Sequence, residues 1–474
     1  MISKKEKDGE LRKLAPRIYT TNLIDSPANI VRRNLIEILV YRYPNALISH
    51  RSAKEMRPTS TGDFFLTNST TRRVTDLPGI ILNFVKGPKA TAHDIPFMGM
   101  HISGEHRYML ENMQLSRKSG DESRVLPISV IENKLEQLLL TGGEERLNQY
   151  RDELREVANE LGMADEFSKI NNIISALLST HDARVLSTDS AKARASGNPF
   201  DANRVGLFEI LFDTIKDRYF VIRNNRNTDE DSFRLFSFFE SYFSNYIEGT
   251  EFDIEEAKEI VDSGIPMPRR DEDSHDILGT FKILSNRTEM RRVPTSPEEL
   301  FAILSHRHTI LLEGRPHMNP GVFKMRNNRA GQTEFVDYQL VKGTLSQGFK
   351  YYSALTDPFA RAIFMMFMIS EVHPFNDGNG RIARVMMNAE FVRADQSRII
   401  VPTVFREDYI LALRKLTRHK DPMAYINVMT KLHQFSDNLY GTDFTELKNY
   451  LAACNAYEEP SQAKLQIIDR SIRH

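Results

Sequence analysis

His373-Pro374-Phe375-Asn376-Asp377-Gly378-Asn379-Gly380-Arg381-Ile382-Ala383-Arg384 sits between two apolar stretches, and its reading decides the fold around it. Upstream, Phe359 to Ile369 is apolar on almost every side, with Phe364, Met365, Met366, Phe367 and Met368 in succession. A helix apolar all round is buried all round, and the methionines read as core packing. Pro374 disfavours the right-handed helical region at His373 and so predicts the end of that helix. Phe375 can anchor the loop in the core while Asp377 faces out. Gly378 and Gly380 let the backbone approach a ligand closely. A second helix, Ile382 to about Ala394, follows at once, and its first amides attract anions. Arg381 and Arg384 oppose that dipole unless a polyanion joins them, and a nucleoside triphosphate supplies the charge.

The segment resembles the Fic family signature, H-x-F-x-[D/E]-G-N-G-R-x-x-R, at every specified position. The resemblance implies a mainly α fold, a Fic helical bundle with a small β-hairpin flap. It also implies an enzyme, a protein adenylyltransferase moving AMP from ATP to a Ser, Thr or Tyr hydroxyl of a protein, the chain itself included. In that family the histidine is the general base, which makes His373 the catalytic residue. The resemblance makes Asp377 the ligand of Mg²⁺, a cation that prefers oxygen donors. Gly378, Asn379 and Gly380 would grip the phosphates, and Arg381 and Arg384 would neutralise their distal end. A histidine pKa near neutrality would suit the task.

Upstream, Ser244-Asn245-Tyr246-Ile247-Glu248-Gly249 fits the family's inhibitory motif, [S/T]-x-x-x-E-[G/N]. Ser244 and Glu248 share one face of a helix, and Gly249 is a natural stop. A carboxylate and a γ-phosphate want the same bidentate donor, so Glu248 is expected to compete for Arg384. In some family members this glutamate also supports AMP removal. Between the two motifs, residues 319–336 read as two short strands around a polar turn. By position they correspond to the family's target-docking flap, carried here by Gly321-Val322-Phe323-Lys324 where family flaps often read G-x-Y-R. An extended target segment would pair with it by β-augmentation.

Residues 1–120 predict a small α/β, winged-helix-like domain. Asp25-Ser26-Pro27 starts a helix, Ile30 to Val40 continues it, and Ser49 to Lys54 forms a second. Asp63–Thr67 and Gly79–Val85 read as strands. Arg17-Ile18-Tyr19-Thr20, Ile48-Ser49-His50-Arg51-Ser52-Ala53 and Leu77-Pro78-Gly79 resemble, more loosely, the AbiEi family of antitoxin-type regulators. Residues 1–100 carry 16 Lys and Arg against 9 Asp and Glu. That basic excess motivates the alternative reading, a DNA-binding regulator or toxin–antitoxin-like module with the Fic domain as sensor. A solvated face accounts for the same charges.

Residues 121–204 read as a helical spacer, with Gly142-Gly143 and Gly162 as punctuation, running into a Ser- and Ala-rich linker at 185–203. Residues 205–440 hold the Fic domain and its inhibitory helix, whose aromatics (Phe236, Phe238, Phe239, Tyr242, Phe243) read as core. Residues 441–474 form a C-terminal tail. The chain's 41% hydrophobic and 27% charged content is that of a globular protein. A lone cysteine, Cys454, excludes an internal disulfide, and no apolar run is long enough to span a membrane. The charged N-terminus leads into no signal-like segment, so a cytoplasmic location is expected. The family resemblance adds homodimerisation as a regulatory state.

Overall fold

Ser26 opens the helix Pro27–Arg33 (α1), its Oγ accepting the Asn29 N–H at 3.3 Å. The expected continuous run to Val40 breaks once. Asn34 leaves helical geometry and donates its side-chain amide to the Ile30 carbonyl, and a second helix, Leu35–Arg42 (α2), restarts beyond it. The computed structural model describes residues 2–179, 182–331 and 333–470. The chain divides at residue 197 into two units, Met1–Gly197 and Asn198–His474.

In the first unit, Arg12–Ala15 (β1) and Ile18–Thr20 (β2) form a two-stranded ribbon. Six further strands form one mixed sheet: Leu47–Ile48 (β3), Asp63–Asn68 (β4), Arg72–Leu77 (β5), Ile80–Lys86 (β6), Ile95–Phe97 (β7) and Met100–Ile102 (β8). Their order is β5-β6-β4-β3-β8-β7. The two expected strands, β4 and β6, pair in parallel, with Phe64 opposite Leu82. The hairpins are β5–β6 and β7–β8. Alternation along β6 buries Ile80, Leu82 and Phe84 against α1 and α2, as a half-covered sheet requires.

The rest of this unit is helical. Ile128–Leu161 (α3) bends at Gly143, whose φ of 66° no other residue adopts cheaply. Ala164–Leu177 (α4) packs against it, and Ile131, Leu135, Leu154, Val157 and Leu161 meet Ile170, Ile173 and Ile174 in one core. Residues 185–195, expected within a linker, are folded against this core instead. The Glu132 carboxylate accepts the Ser187 and Thr188 N–H groups at 2.7 and 2.8 Å, and Leu186 and Ala191 are buried. Two anchored amides outweigh a composition that reads as linker.

The second unit is a helical bundle, built from Ala202–Ile215 (α5), Glu230–Ile247 (α6), Asp271–Leu284 (α7), Pro297–Leu311 (α8), Pro358–Val372 (α9), Asn379–Arg393 (α10), Arg406–His419 (α11) and Phe444–Ala453 (α12), with further helices between. Asp357 caps α9 by accepting the Ala360 N–H, and Pro358 occupies its first turn. Phe364, Met365, Met366, Phe367 and Met368 are all fully buried, as their sequence predicts. Each contributes roughly 1.5–3 kcal/mol relative to exposure, which makes α9 a rigid post. The stretch 441–470, expected as a tail, is part of the bundle. Phe444 stacks on Phe239 and Tyr457 on Phe243, because the aromatic face of α6 would otherwise meet water. Among the described residues, no helix is long and apolar enough to cross a membrane.

Candidate active site

The helix α9 ends at His373, which adopts the left-handed conformation (φ 50°, ψ 61°) and donates its N–H to the Ile369 carbonyl at 2.9 Å. Pro374 disfavours the right-handed helical region at His373 and so ends the helix there, while the left-handed turn itself is not the extended backbone a proline favours. His373 Nδ1 lies 2.8 Å from the Ser370 carbonyl, so Nδ1 carries the proton and Nε2 offers a lone pair. The Phe335 ring lies flat on the imidazole, 3.4 Å between centroids and 2° from parallel. Burial pushes the His373 pKa down to about 4, and the Lys324 cation acts in the same direction. The expectation of a value near neutrality misses this desolvation. The ring is an unprotonated acceptor at neutral pH.

The loop beyond it is held from inside. Phe375 is fully buried and stacks on His308 at 3.7 Å. The Asn379 side chain accepts the Phe375 N–H and donates to the Phe375 carbonyl, both at 2.9 Å. Its amide therefore fastens the loop, which leaves the backbone N–H groups of Asn379, Gly380 and Arg381 at the start of α10, without intrahelical acceptors. Gly378 caps that helix with φ 70°. The Asp377 side chain remains 42% exposed, 3.7 Å from Arg381 Nη2. Its backbone carbonyl accepts from His308 Nε2 at 3.0 Å, while His308 Nδ1 accepts the Gly321 N–H at 2.8 Å. That pairing assigns one neutral tautomer to His308, whose pKa burial pushes down to about 4.

Glu248 and Ser244 converge on Arg384 from α6. Arg384 Nη2 donates to Glu248 Oε1 and to the Ser244 carbonyl, both at 2.8 Å, and Nε donates to Ser244 Oγ at 2.9 Å. Partial burial alone would raise the Glu248 pKa. The Arg384 guanidinium outweighs it and holds the carboxyl below its usual range. The same oxygen rests against the helix start, and a methyl group on Gly380 would lie 2.1 Å from it. The absence of a side chain at Gly380 thus lets this carboxylate lie close to the amides in its present position.

Arg381 points elsewhere. Its Nη1 contacts Asp276 Oδ1 at 2.8 Å and Asn245 Oδ1 at 3.3 Å. Asp276, on α7, also accepts from Arg315 Nε and Nη2. Nothing in the spacing of Asp276, His308 or Arg315 marks them as neighbours of the loop.

The strands expected in 319–336 fall at Arg329–Ala330 (β9) and Thr333–Glu334 (β10), around Gly331 and Gln332, the latter outside the described residues. Gly321, Val322, Phe323 and Lys324 lie before them in irregular backbone. Val322 is exposed, but Phe323 packs on Phe301 and Phe375 and draws Lys324 inward, to 3% exposure. Arg204 Nη2 donates to the Glu334 carbonyl at 2.6 Å and Arg418 Nη2 to Thr333 Oγ1 at 3.0 Å, so two arginines tie the hairpin down. A cavity of about 360 Å³ opens beneath it, lined among others by Glu248, Phe335, His373, Arg384, Tyr409 and Leu413. The lining also includes Arg406, Arg414 and Arg418. Among the described residues no three His, Cys, Asp or Glu side chains converge as a metal cage. A single half-exposed carboxylate, Asp377, suits a Mg²⁺ whose other ligands are phosphate oxygens and water.

Residues 296–390 match the family model Fic/DOC family. Protein adenylyltransferase fic-1 of Caenorhabditis elegans is 30% identical over 115 residues, covering 24% of this chain and 22% of that one. Protein adenylyltransferase Fic of Nematostella vectensis is 24% identical over 214 residues, covering 42% and 47%. The chain thus spans between a fifth and a half of the length of these relatives. The solved structure of Fic-1 (aa134–508) from C. elegans aligns with 69% of this chain and 92% of its own, at 16% identity and a TM-score of 0.37. The segment that holds the loop from His373 to Arg384 is thus a Fic domain, homologous to that of proteins named protein adenylyltransferase.

Proposed function

We propose that this chain is an autoinhibited protein adenylyltransferase, held in its resting state by Glu248. The observation that carries the reading is the position of Glu248 Oε1, which meets Arg384 and crowds Gly380 at the start of α10. A triphosphate needs those same two donors, the guanidinium and the helix amides.

With Glu248 displaced, the phosphates of ATP lie over the first amides of α10, with Arg384 on the distal end. Asp377 would hold Mg²⁺, which when bound neutralises phosphate charge. The target hydroxyl enters beside the hairpin. His373 Nε2 takes its proton as the oxygen bonds to the α-phosphorus, and the bond from that phosphorus to the bridging oxygen breaks to release pyrophosphate. Nδ1–H stays on the Ser370 carbonyl, so the ring accepts at Nε2 alone. Fixed amides and a guanidinium stabilise the charge that develops. Mass spectrometry of the Glu248→Gly protein after incubation with ATP and Mg²⁺ tests the reading. A gain of one AMP supports it, and no gain in that variant overturns it.

A second reading concerns residues 1–120 and contact with nucleic acid. It is favoured by the edge strand β5, whose Arg72 and Arg73 are both exposed.

A further inference from the structure

Lys324 is buried to 3% exposure, although its position in the sequence places it in a target-facing segment. An ammonium leaves water only for specific partners, and the partners of this residue are Asn328 and the backbone around His373. The Lys324 N–H donates to the Pro374 carbonyl at 2.8 Å. Its Nζ donates to Asn328 Oδ1 at 2.6 Å and reaches the Val372 carbonyl at 3.4 Å. Asn328 Nδ2 in turn donates to the Phe375 carbonyl at 2.9 Å. The carbonyls of Val372, Pro374 and Phe375, on both sides of His373, are therefore all taken by one short segment. The same segment continues to Phe335, whose N–H donates to the Asn328 carbonyl and whose ring covers the imidazole.

We propose that Lys324 is a positioning residue for the transfer reaction, fixing the loop so that His373 Nε2 faces the cavity and holding its own cation beside the imidazole. The first part follows from the hydrogen bonds. The second follows from charge. His373 faces Lys324 from this segment, Glu248 from α6, Asp377 from its own loop and Arg384 across the cavity. Arg384 is neutralised by Glu248, and Glu371, on the same helix as His373, is paired with Arg204. Arg406, Arg414 and Arg418 line the same cavity from α11; of the groups acting on the imidazole, Lys324 is the cation without a carboxylate at contact distance, and so it disfavours the imidazolium. Its own charged neighbours are Asp337 and Arg204, and burial pushes its pKa down to about 8. It is a cation at neutral pH. Lysine also complements the negative end of α9 at the Val372 carbonyl.

The inference rests on the proposed transfer reaction, and two readouts separate the two. In the chain with Glu248 in place the His373 imidazole is titrated by NMR, assigned by its loss in His373→Ala, and in the Glu248→Gly protein AMP transfer is followed across pH. Lys324→Met is expected to move the imidazole midpoint to higher pH, since removing a neighbouring cation favours the imidazolium. It is also expected to lower kcat roughly tenfold to a hundredfold with little change in KM for ATP. Lys324→Arg, which keeps the charge, retains the parent midpoint. Asn328→Ala, which keeps the charge but removes one tie, lowers kcat without moving the midpoint upward as Lys324→Met does. An unchanged midpoint in Lys324→Met overturns the inference, as does an equal shift in Lys324→Arg. If the Glu248→Gly parent transfers no AMP, the functional reading fails while the titration still decides the role of Lys324.

Discussion

Glu248 and Arg384, 136 residues apart in the chain, meet at 2.8 Å. The contact is built from α6 and α10, and Ser244 holds the same guanidinium through both its hydroxyl and its carbonyl. The guanidinium that the proposed reaction assigns to a phosphate is thereby occupied by a carboxylate and a serine.

Releasing that carboxylate should activate the protein. A charge-assisted hydrogen bond is worth about 1.5–3 kcal/mol. Glu248→Gly is therefore expected to raise AMP incorporation by about one to two orders of magnitude over wild type, measured with labelled ATP. Glu248→Gln, which keeps the shape and loses the charge, should fall between them.

Ser244→Ala removes one neutral partner of Arg384 and leaves the ion pair. The ion pair and the bond to the Ser244 carbonyl both remain, so a smaller activation than that of Glu248→Gly is expected. An effect as large as that of Glu248→Gly would mean that the serine, not the carboxylate, is the restraint.

Asp276 serves Arg381 and Arg315 while itself 2% exposed. Asp276→Ala leaves Arg381 buried without its carboxylate, which typically costs about 3–5 kcal/mol. A clear drop in the thermal midpoint is expected, together with weaker nucleotide binding by calorimetry. Preserved stability would show that Arg381 finds another partner.

Acid should destabilise the second unit through its histidines. Burial pushes His308, His373 and His433 down to about 4 in the folded protein, from an ordinary value of 6.5. Between these values the unfolded chain binds more protons than the folded one, so stability falls as pH drops from about 6.5 to 4. Denaturant titrations across that window check the sign. His433→Asn should flatten the dependence without touching the loop.

The basic edge of the first unit is tested by a gel shift of the full chain with duplex DNA. Arg72→Glu with Arg73→Glu should weaken any binding and reduce its salt slope. No binding even at low salt counts against a nucleic-acid role.

The stretch from His373 to Arg384 was legible because its causes are local. A proline restricts the residue before it, Gly378 takes a positive φ, and an all-apolar helix has only the core to occupy. Those steric and hydrophobic rules act within a few residues, and the structure follows them at the end of α9 and the start of α10. Sequence by itself also brought Glu248 and Arg384 under suspicion, through family resemblance, but gave no distance between them. Tertiary packing alone decided the rest. It set β4 beside β6 in parallel, folded residues 185–195 onto a helical core, and seated residues 444–457 on the aromatic face of α6. It also turned Lys324 inward, moved the hairpin to 329–334, and lowered the His373 pKa by burial. Each of these depends on which distant surfaces exclude water together, and neighbouring residues in a chain carry little information about that.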